Sequence, residues 1–534
     1  MIIRKDSDGS REKTSRVMHA FNGKERFTLH AFIWGGSLLL FVIYAWALPD
    51  FRFFWDPSVK WFQILDLLRH NYQDISCAYP ARKLDPEFRH MPMAYVSVVG
   101  GECRYWFPYA LAYVFAPAHQ VLGVWSVPLL QHGFSIFILY AMAIVCARLG
   151  LSFRATLAAL LLFRLGTANL NSVANLEDHV VSAAIFMGAV LICLRVPASA
   201  VGNGPGETSR TRPVLCWWAG LLVGCSFAVR PEMAAVGPFL GLALFMTASE
   251  RRIGFARAIA LGAGFALSLG VFLALNQALV DHPLGLRALD PVNRIAYTDI
   301  GARLGRAAAH LFLAPEWWLN GLLLQMPLLL AVAFNLRGDL RRASGGDTAT
   351  FLLVTCAVLL PLLYVSPFGG PHIGFRFGTF LYPLLIPLAL RAFRGARKPA
   401  RVLAAVLICY SIVLTVPLAG YGVVVYRGYL KTHRELKALP ADAVILRDDI
   451  MWHALSDHYY ERPILRVLKD DDVALILERM RSRGMGRVLF ARSAARPPRG
   501  PLVPAALRAK VNRRGKSAVL DWAILEIAPT KPPR

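Results

Sequence analysis

Charged side chains make up only 17% of this 534-residue chain, short of the roughly 25% typical of a soluble domain. That scarcity, with 56% hydrophobic residues and a mean hydropathy of +0.45, excludes an ordinary soluble protein and indicates a polytopic membrane protein. The eight cysteines contain no CxxC pair and no Cys/His metal spacing, which excludes a zinc ribbon or a thioredoxin-like redox motif. No clear small-residue cleavage site follows the first apolar run, which at about 20 residues is long for a signal h-region. The run is expected to be retained. No internal repeat is found of the kind that many transporters carry. The formal charge of +25 would suit nucleic acid. However, Lys and Arg lie in short clusters between apolar runs, the pattern of the positive-inside rule, and no nucleic-acid partner is expected.

What is present is a series of apolar runs. Against a need of about 20 residues per crossing, about eleven spans are expected, roughly 29–48, 124–147, 153–169, 178–196, 214–230, 232–248, 257–279, 318–336, 350–366, 377–392 and 402–425. Arg4, Lys5, Arg11, Lys13, Arg16, Lys24 and Arg26 place the N-terminus in the cytoplasm. Alternation then puts Arg148 with Arg154, Arg210 with Arg212, Arg251 with Arg252, Arg337 with Arg341 and Arg342, and the cluster from Arg391 to Arg401 on the same side. The opposite connections, 49–123, 170–177, 230–232, 280–317, 367–376 and everything after about 426, are expected outside. They hold nearly all the unusual polar residues.

The stretch from Pro49 to Phe62 follows directly on the first run. It carries Asp50 and Asp56 where a membrane helix leaves the bilayer. Asp56 before Pro57 suits an N-cap with proline at the first helical position. Val59, Phe62, Leu65 and Leu68 then fall about one turn apart, with Lys60, Asp66 and Arg69 placed elsewhere on the surface. That periodicity predicts an amphipathic helix lying in the interface plane. An acid pinned there is placed either to cap or to act on a lipid-borne substrate.

Further along the same loop, residues 93–107 read as two extended pieces around Gly100-Gly101, a hairpin signal. Residues 108–117 form an apolar piece too short to span. Cys77 and Cys103 are the only cysteines outside the expected spans, and an oxidising exterior would let them pair. The 280–317 loop carries Arg287, Arg294, Arg303 and Arg306 against the local charge rule. Loop solvation and an anionic ligand both account for them. After Tyr426 the runs 443–446, 464–468, 487–490 and 519–525 read as strands, and 471–480 as a helix. This predicts a small α/β domain without a Gly-rich phosphate loop or a triad pattern.

Three further constellations can carry chemistry. Glu177, Asp178 and His179 open the fourth span on the outer side. Acids in a first helical turn are favoured by the helix dipole alone. A second acid and a histidine facing Asp56 could also orient an acceptor or hold a divalent ion completed by water and phosphate. Arg230-Pro231-Glu232 makes a tight outer turn, with Arg230 either snorkelling to headgroups or binding phosphate. Residues 368–377 place His372 four residues before Arg376, whose planar guanidinium suits phosphate.

These positions resemble the GT-C superfamily of membrane glycosyltransferases, which take sugars from polyprenyl-phosphate carriers. The resemblance covers most of residues 29–426. It rests on Asp56 after the first span, the long first loop with its interfacial helix, Tyr105-Trp106-Phe107-Pro108-Tyr109, Glu177 with Asp178, Arg230-Pro231-Glu232, and Arg376. The segment around Pro108 departs from the family's glycine-containing version, and no acid pair of the DxD type marks a metal site. The resemblance implies an α-helical polytopic fold with a small extracytoplasmic C-terminal domain. Its parts would be a basic cytoplasmic segment at 1–28, a transmembrane domain at 29–426 that includes the loop 49–123, and the α/β domain at 427–534.

The implied reaction is inverting sugar transfer from a polyprenyl-phosphate donor to a glycan, glycolipid or protein acceptor outside the plasma (inner) membrane. Asp56 would be the general base. Glu177, Asp178, His179, Arg104 and Tyr105 would meet the acceptor or substrate. Arg376, His372, Arg230 and Arg294 would meet the lipid phosphate. A divalent cation, Mg²⁺ or Mn²⁺, is an open cofactor. A secondary transporter is the rival from another class, but transporters hold charges near the midplane, whereas these acids cluster at one edge. A lipid-linked polysaccharide polymerase or ligase, relying on a large late external loop, is the other alternative. Reporter fusions near residues 205, 345 and 470 are expected to report inside, inside and outside. A cytoplasmic signal at 470 would dissolve the shared face on which the site depends.

Overall fold

The computed structural model describes residues 21–48, 56–93, 95–195, 211–248, 250–286, 301, 305, 322–332, 348–359, 379–448, 458–494, 501–504, 507, 511–517 and 519–527. In chain order the first elements are α1 (Gly23–Ala47), α2 (Asp56–Arg69), β1 (Val96–Val99), β2 (Glu102–Tyr105), α3 (Tyr109–Leu122) and α4 (Ser126–Arg148). There follow α5 (Phe153–Leu165), α6 (Asn169–Ser172), α7 (Asp178–Arg195), α8 (Thr211–Val229), α9 (Val236–Met246) and α10 (Arg251–Val280). Then come α11 (Leu322–Gln325), α12 (Thr348–Leu359), α13 (Tyr382–Ala392) and α14 (Lys398–Lys437). The C-terminal elements are β3 (Ala443–Leu446), β4 (Ile464–Arg466), α15 (Asp470–Arg481), β5 (Arg487–Ser493), β6 (Val511–Lys516) and β7 (Leu520–Glu526).

Among the described residues, four helical stretches, Gly23–Ala47, Tyr109–Arg148, Arg251–Val280 and Lys398–Lys437, are long and apolar enough to cross a membrane. Trp34, Leu38 and Trp46 on α1, Ile259 and Leu267 on α10, and Val406 and Val413 on α14 are exposed. Apolar surface on that scale needs lipid to cover it. The apolar piece expected to stop at residue 117 is a helix, α3, that runs through a 3-10 turn at Gly123–Trp125 into α4. Pro117 lies inside α3.

The chain divides into two compact units. Unit one holds residues 1–46 and 121–420, and unit two holds 47–120 and 421–534. The core of unit one is built from α4, α5, α7, α9 and α13, with Met142, Phe163, Phe186, Leu240 and Tyr382 fully buried. Its α8 and α10 touch backbone to backbone. A Cβ on Gly220 would lie 2.0 Å from the Leu261 carbonyl oxygen, and one on Gly264 would lie 2.1 Å from that of Trp217. Small residues allow such close approach between helices in lipid, where packing replaces the hydrophobic drive.

Arg164 of α5 is 4% exposed and is held by hydrogen bonds to α1. Its guanidinium donates to the Phe32 oxygen at 3.0 Å, the Ile33 oxygen at 2.9 Å, and the Ser37 hydroxyl. These α1 carbonyls can accept a second bond because each has two lone pairs.

In unit two, β1 and β2 form the expected hairpin. Gly100 and Gly101 both take positive φ, +61° and +79°, as a two-residue turn between Val99 and Glu102 requires. Cys77 and Cys103 form a disulfide with a Cα–Cα distance of 5.1 Å. The C-terminal strands make one mixed sheet in the order β4-β3-β5-β7-β6, with β3 parallel to β4 and β5, and β7 antiparallel to β5 and β6.

The helix α2 departs from its expected form. Lys60 and Asp66, assigned to the surface, are 3% and 1% exposed. Asp66 is buried because donors converge on it. Its Oδ2 accepts from the Tyr105 hydroxyl at 2.6 Å and the Ala78 N–H at 2.8 Å, and its Oδ1 accepts from the Tyr460 hydroxyl at 2.8 Å. Arg69 lies 3.9 Å from Oδ1 and caps the Tyr460 ring. One carboxylate thus ties α2 to the hairpin and to the segment before β4. Burial pushes the Asp66 carboxyl above the usual carboxylate range, and the bonds from Tyr105, Ala78 and Tyr460 oppose the rise.

A raised folded-state pKa means that protonation favours the fold. The contribution of Asp66 is therefore full below the unfolded carboxylate value and is lost as pH rises through the folded one. Thermal unfolding followed by tryptophan fluorescence from about pH 4 to 8 is expected to show this downward slope in the wild type and a flatter profile in Asp66→Asn. Asp66→Ala leaves three donors unpaired, at about 1–3 kcal/mol each, and is expected to lower the midpoint at every pH. A steeper fall in Asp66→Asn than in the wild type would contradict this assignment.

Candidate functional site

Among the described residues, unit one brings four of the predicted site residues together. Glu177 precedes α7, and Asp178 and His179 form its first turn, where the exposed N–H groups favour negative charge. Arg230 follows α8. Proline at 231 disfavours helical backbone at the residue before it, so Arg230 is extended, with φ −145° and ψ 111°. Its own N–H remains on the end of α8 through the Ser226 oxygen at 2.8 Å, and its carbonyl accepts from Met233 at 3.0 Å. The backbone on both sides of Arg230 is therefore fixed.

The Arg230 guanidinium points at α7. Nη1 lies 3.3 Å from Oδ1 of Asp178. It lies 2.6 Å from Nδ1 and 2.8 Å from Nε2 of His179. His179 Nε2 is in turn 3.8 Å from Asp178 Oδ1. All four residues are buried: Glu177 is 6% exposed, Asp178 3%, His179 5% and Arg230 5%. Carboxylates at such depth need a counter-charge, and removing one partner of a buried pair costs about 3–5 kcal/mol.

Two amide side chains in this region, Gln131 and Asn169, were not anticipated. Gln131 of α4 donates through Nε2 to the Glu177 carbonyl at 2.8 Å. One turn along α4, Ser135 accepts from Nδ2 of Asn169 at 3.2 Å. The side-chain oxygens of Gln131 and Asn169 are buried with no hydrogen-bond partner among the described residues. The signal that could have found them is plain polarity: an amide in or beside a membrane span rarely lies there without a role.

Glu177, Asp178 and His179 each offer a ligand atom, and these atoms lie within 4.8 Å of one another. Two carboxylates and an imidazole could hold a metal ion. Arg230 already lies against both Asp178 and His179. The donor types fit a divalent cation, and the position of the guanidinium does not.

The remaining site candidates belong to unit two or lie outside the described residues. Asp56 opens α2 directly before Pro57 and is half-buried. Arg104 sits on β2 and pairs with Glu102 at 2.8 Å. Tyr105 is 1% exposed and its hydroxyl is engaged by Asp66, which puts it in the core of unit two. Asp50, Arg294, His372 and Arg376 lie outside the described residues.

No protein-family model matches the chain, and no curated protein matches it by sequence. Among solved structures, it is similar to ArnT from Cupriavidus metallidurans bound to undecaprenyl phosphate. The TM-score is 0.54 and the identity 12%, over 92% of this chain and 97% of that one. Two structures of the Archaeoglobus fulgidus oligosaccharyltransferase also match. The AglB complex with an inhibitory peptide and a dolichol-phosphate gives a TM-score of 0.46 at 12% identity, over 86% of this chain and 70% of that one. The complex with zinc and sulfate gives 0.49 at 12% identity, over 85% and 68%. Both scores are below 0.5 and too low to argue from. The match to ArnT over nearly the whole of both chains shows that this chain shares the ArnT fold.

Proposed function

We propose that the chain is a GT-C glycosyltransferase that transfers a sugar from a polyprenyl-phosphate carrier to an acceptor on the outer side of the membrane. The observation that carries the reading is the fold shared along nearly all of both chains with ArnT, whose structure holds undecaprenyl phosphate. The buried acidic cluster at the head of α7 supports it. The side-chain oxygens of Gln131, which is bonded to the Glu177 carbonyl, and of Asn169 have no partner among the described residues and suit a ligand rich in hydroxyl donors, as a sugar-bearing acceptor is. The orientation proposed with it has the N-terminus in the cytoplasm, about eleven spans, and the C-terminal sheet outside.

In this reading Asp56 takes the proton of the acceptor hydroxyl as that oxygen attacks the anomeric carbon, with inversion. The bond from the anomeric carbon to the phosphate oxygen breaks, and the electron pair leaves with the lipid phosphate. Arg376, with His372, Arg294 and Arg230, stabilises the departing phosphate electrostatically. Glu177, Asp178 and His179 orient the acceptor, a glycan, glycolipid or protein, with Arg104 assisting.

Asp56→Asn tests the base, because Asn and Asp cap helices about equally well. A transfer assay with a lipid-linked sugar pool is expected to show turnover reduced roughly 10²–10⁴-fold in that variant, with normal expression. Asp50→Asn is the matched control and is expected to matter less. Arg376→Lys keeps the charge but loses the bidentate fork, and is expected to weaken donor use. Full activity in Asp56→Asn would refute the base, and equal loss in all three variants would indicate damaged folding.

A further inference from the structure

We infer that Arg230 is the resident cation of the Glu177–Asp178–His179 cluster, a tethered guanidinium standing where a divalent metal ion would otherwise bind. The inference concerns what the cluster holds, so it stands or falls independently of the sugar-transfer reading.

Three observations carry it. The first is the donor set. Two carboxylates and an imidazole, with ligand atoms within 4.8 Å of one another, make a site of the kind that selects a cation. The second is where Arg230 lies. Its Nη1 is 3.3 Å from Asp178 and within 2.6–2.8 Å of both ring nitrogens of His179. A metal ion bound to Asp178 and His179 would have to occupy nearly the same volume and would meet a like charge at contact distance. The third is that Arg230 is held. Pro231 sets its extended backbone, its N–H is bonded to Ser226, and its carbonyl accepts from Met233. The helix before it, α8, is locked to α10 by contacts that leave no space for a Cβ at Gly220 or Gly224. Swinging the guanidinium aside would leave Asp178, 3% exposed, without this counter-charge.

The geometry also separates this role from an interface anchor. A snorkelling arginine keeps its charged end in water, whereas Arg230 is 5% exposed with its charged end on two buried side chains. A tethered cation gives the cluster a fixed charge that neither chelation nor metal supply can change.

The test reads metal and stability, not turnover. Full-length protein in detergent, stripped with EDTA, is titrated with MnCl₂ while the signal of unbound Mn²⁺ is followed by electron paramagnetic resonance. Wild-type protein is expected to bind no stoichiometric Mn²⁺, and its thermal midpoint is expected to be the same in EDTA and in Mn²⁺. Arg230→Gln is expected to gain one Mn²⁺ per chain, to melt lower than wild type in EDTA, and to recover on addition of Mn²⁺. Adding Glu177→Gln to that variant is expected to abolish the new site. Arg230→Lys keeps a cation on the tether and is expected to exclude Mn²⁺ as wild type does. Should Arg230→Gln fail to fold, the wild-type and Arg230→Lys titrations still decide. A stoichiometric Mn²⁺ in wild-type protein that Glu177→Gln removes would overturn the inference, and so would a folded Arg230→Gln that gains no ion.

Discussion

A guanidinium 3.3 Å from one carboxylate and 2.6 Å from one imidazole allows Glu177, Asp178 and His179 to be buried at the head of α7. Without a counter-charge, taking a carboxylate out of water costs several kcal/mol, more than a helix dipole returns. The position of Arg230 in turn depends on backbone chemistry, since Pro231 turns the chain out of helix immediately after α8. The approach of α8 to α10 rests on glycine, and that packing fixes the end from which Arg230 projects. The site is thus a consequence of a proline, a pair of glycine contacts and one charge balance.

The same requirement governs the other buried ionic groups. Arg164 in α5 is held by the α1 carbonyls of Phe32 and Ile33, with the Ser37 hydroxyl alongside them. Gly36 makes room for it, because a Cβ there would fall 2.1 Å from the guanidinium. In unit two the sign is reversed: Asp66 is an acid supplied with donors by Tyr105, Tyr460 and Ala78. In each case the partners come from segments distant in the chain, and each group therefore fixes tertiary structure as well as paying its own desolvation.

That distance in the chain marks what could be read from sequence. Apolar runs gave the positions of the major helices, because the bilayer demands about 20 apolar residues whatever their neighbours. The Gly100-Gly101 hairpin was legible because a two-residue turn needs positive φ at both positions. The grouping of Glu177, Asp178 and His179 was legible because they are adjacent. The pairing of Arg230 with Asp178 and His179 was not, since it crosses from α7 to the end of α8. Asp66 was placed on the surface because helical periodicity sees only α2, and its donors lie 12, 39 and 394 residues away. The strand β6, Val-Asn-Arg-Arg-Gly-Lys, has no apolar alternation. It is an exposed edge that exists because β7 offers it a ladder and Trp522 a surface for Arg513.

The chain shares its fold with ArnT, whose structure holds undecaprenyl phosphate, and in the proposed function the residues assigned to the lipid phosphate are the ones that distinguish transfer from mere lipid contact. The most direct measurement is a density map of the full-length protein with a polyprenyl phosphate bound. The account predicts phosphate density within hydrogen-bond reach of the Arg376 guanidinium, with His372 beside it, at the outer edge of the membrane. A headgroup resolved at the membrane midplane, or at the outer edge with Arg376 and His372 making no contact, would contradict it.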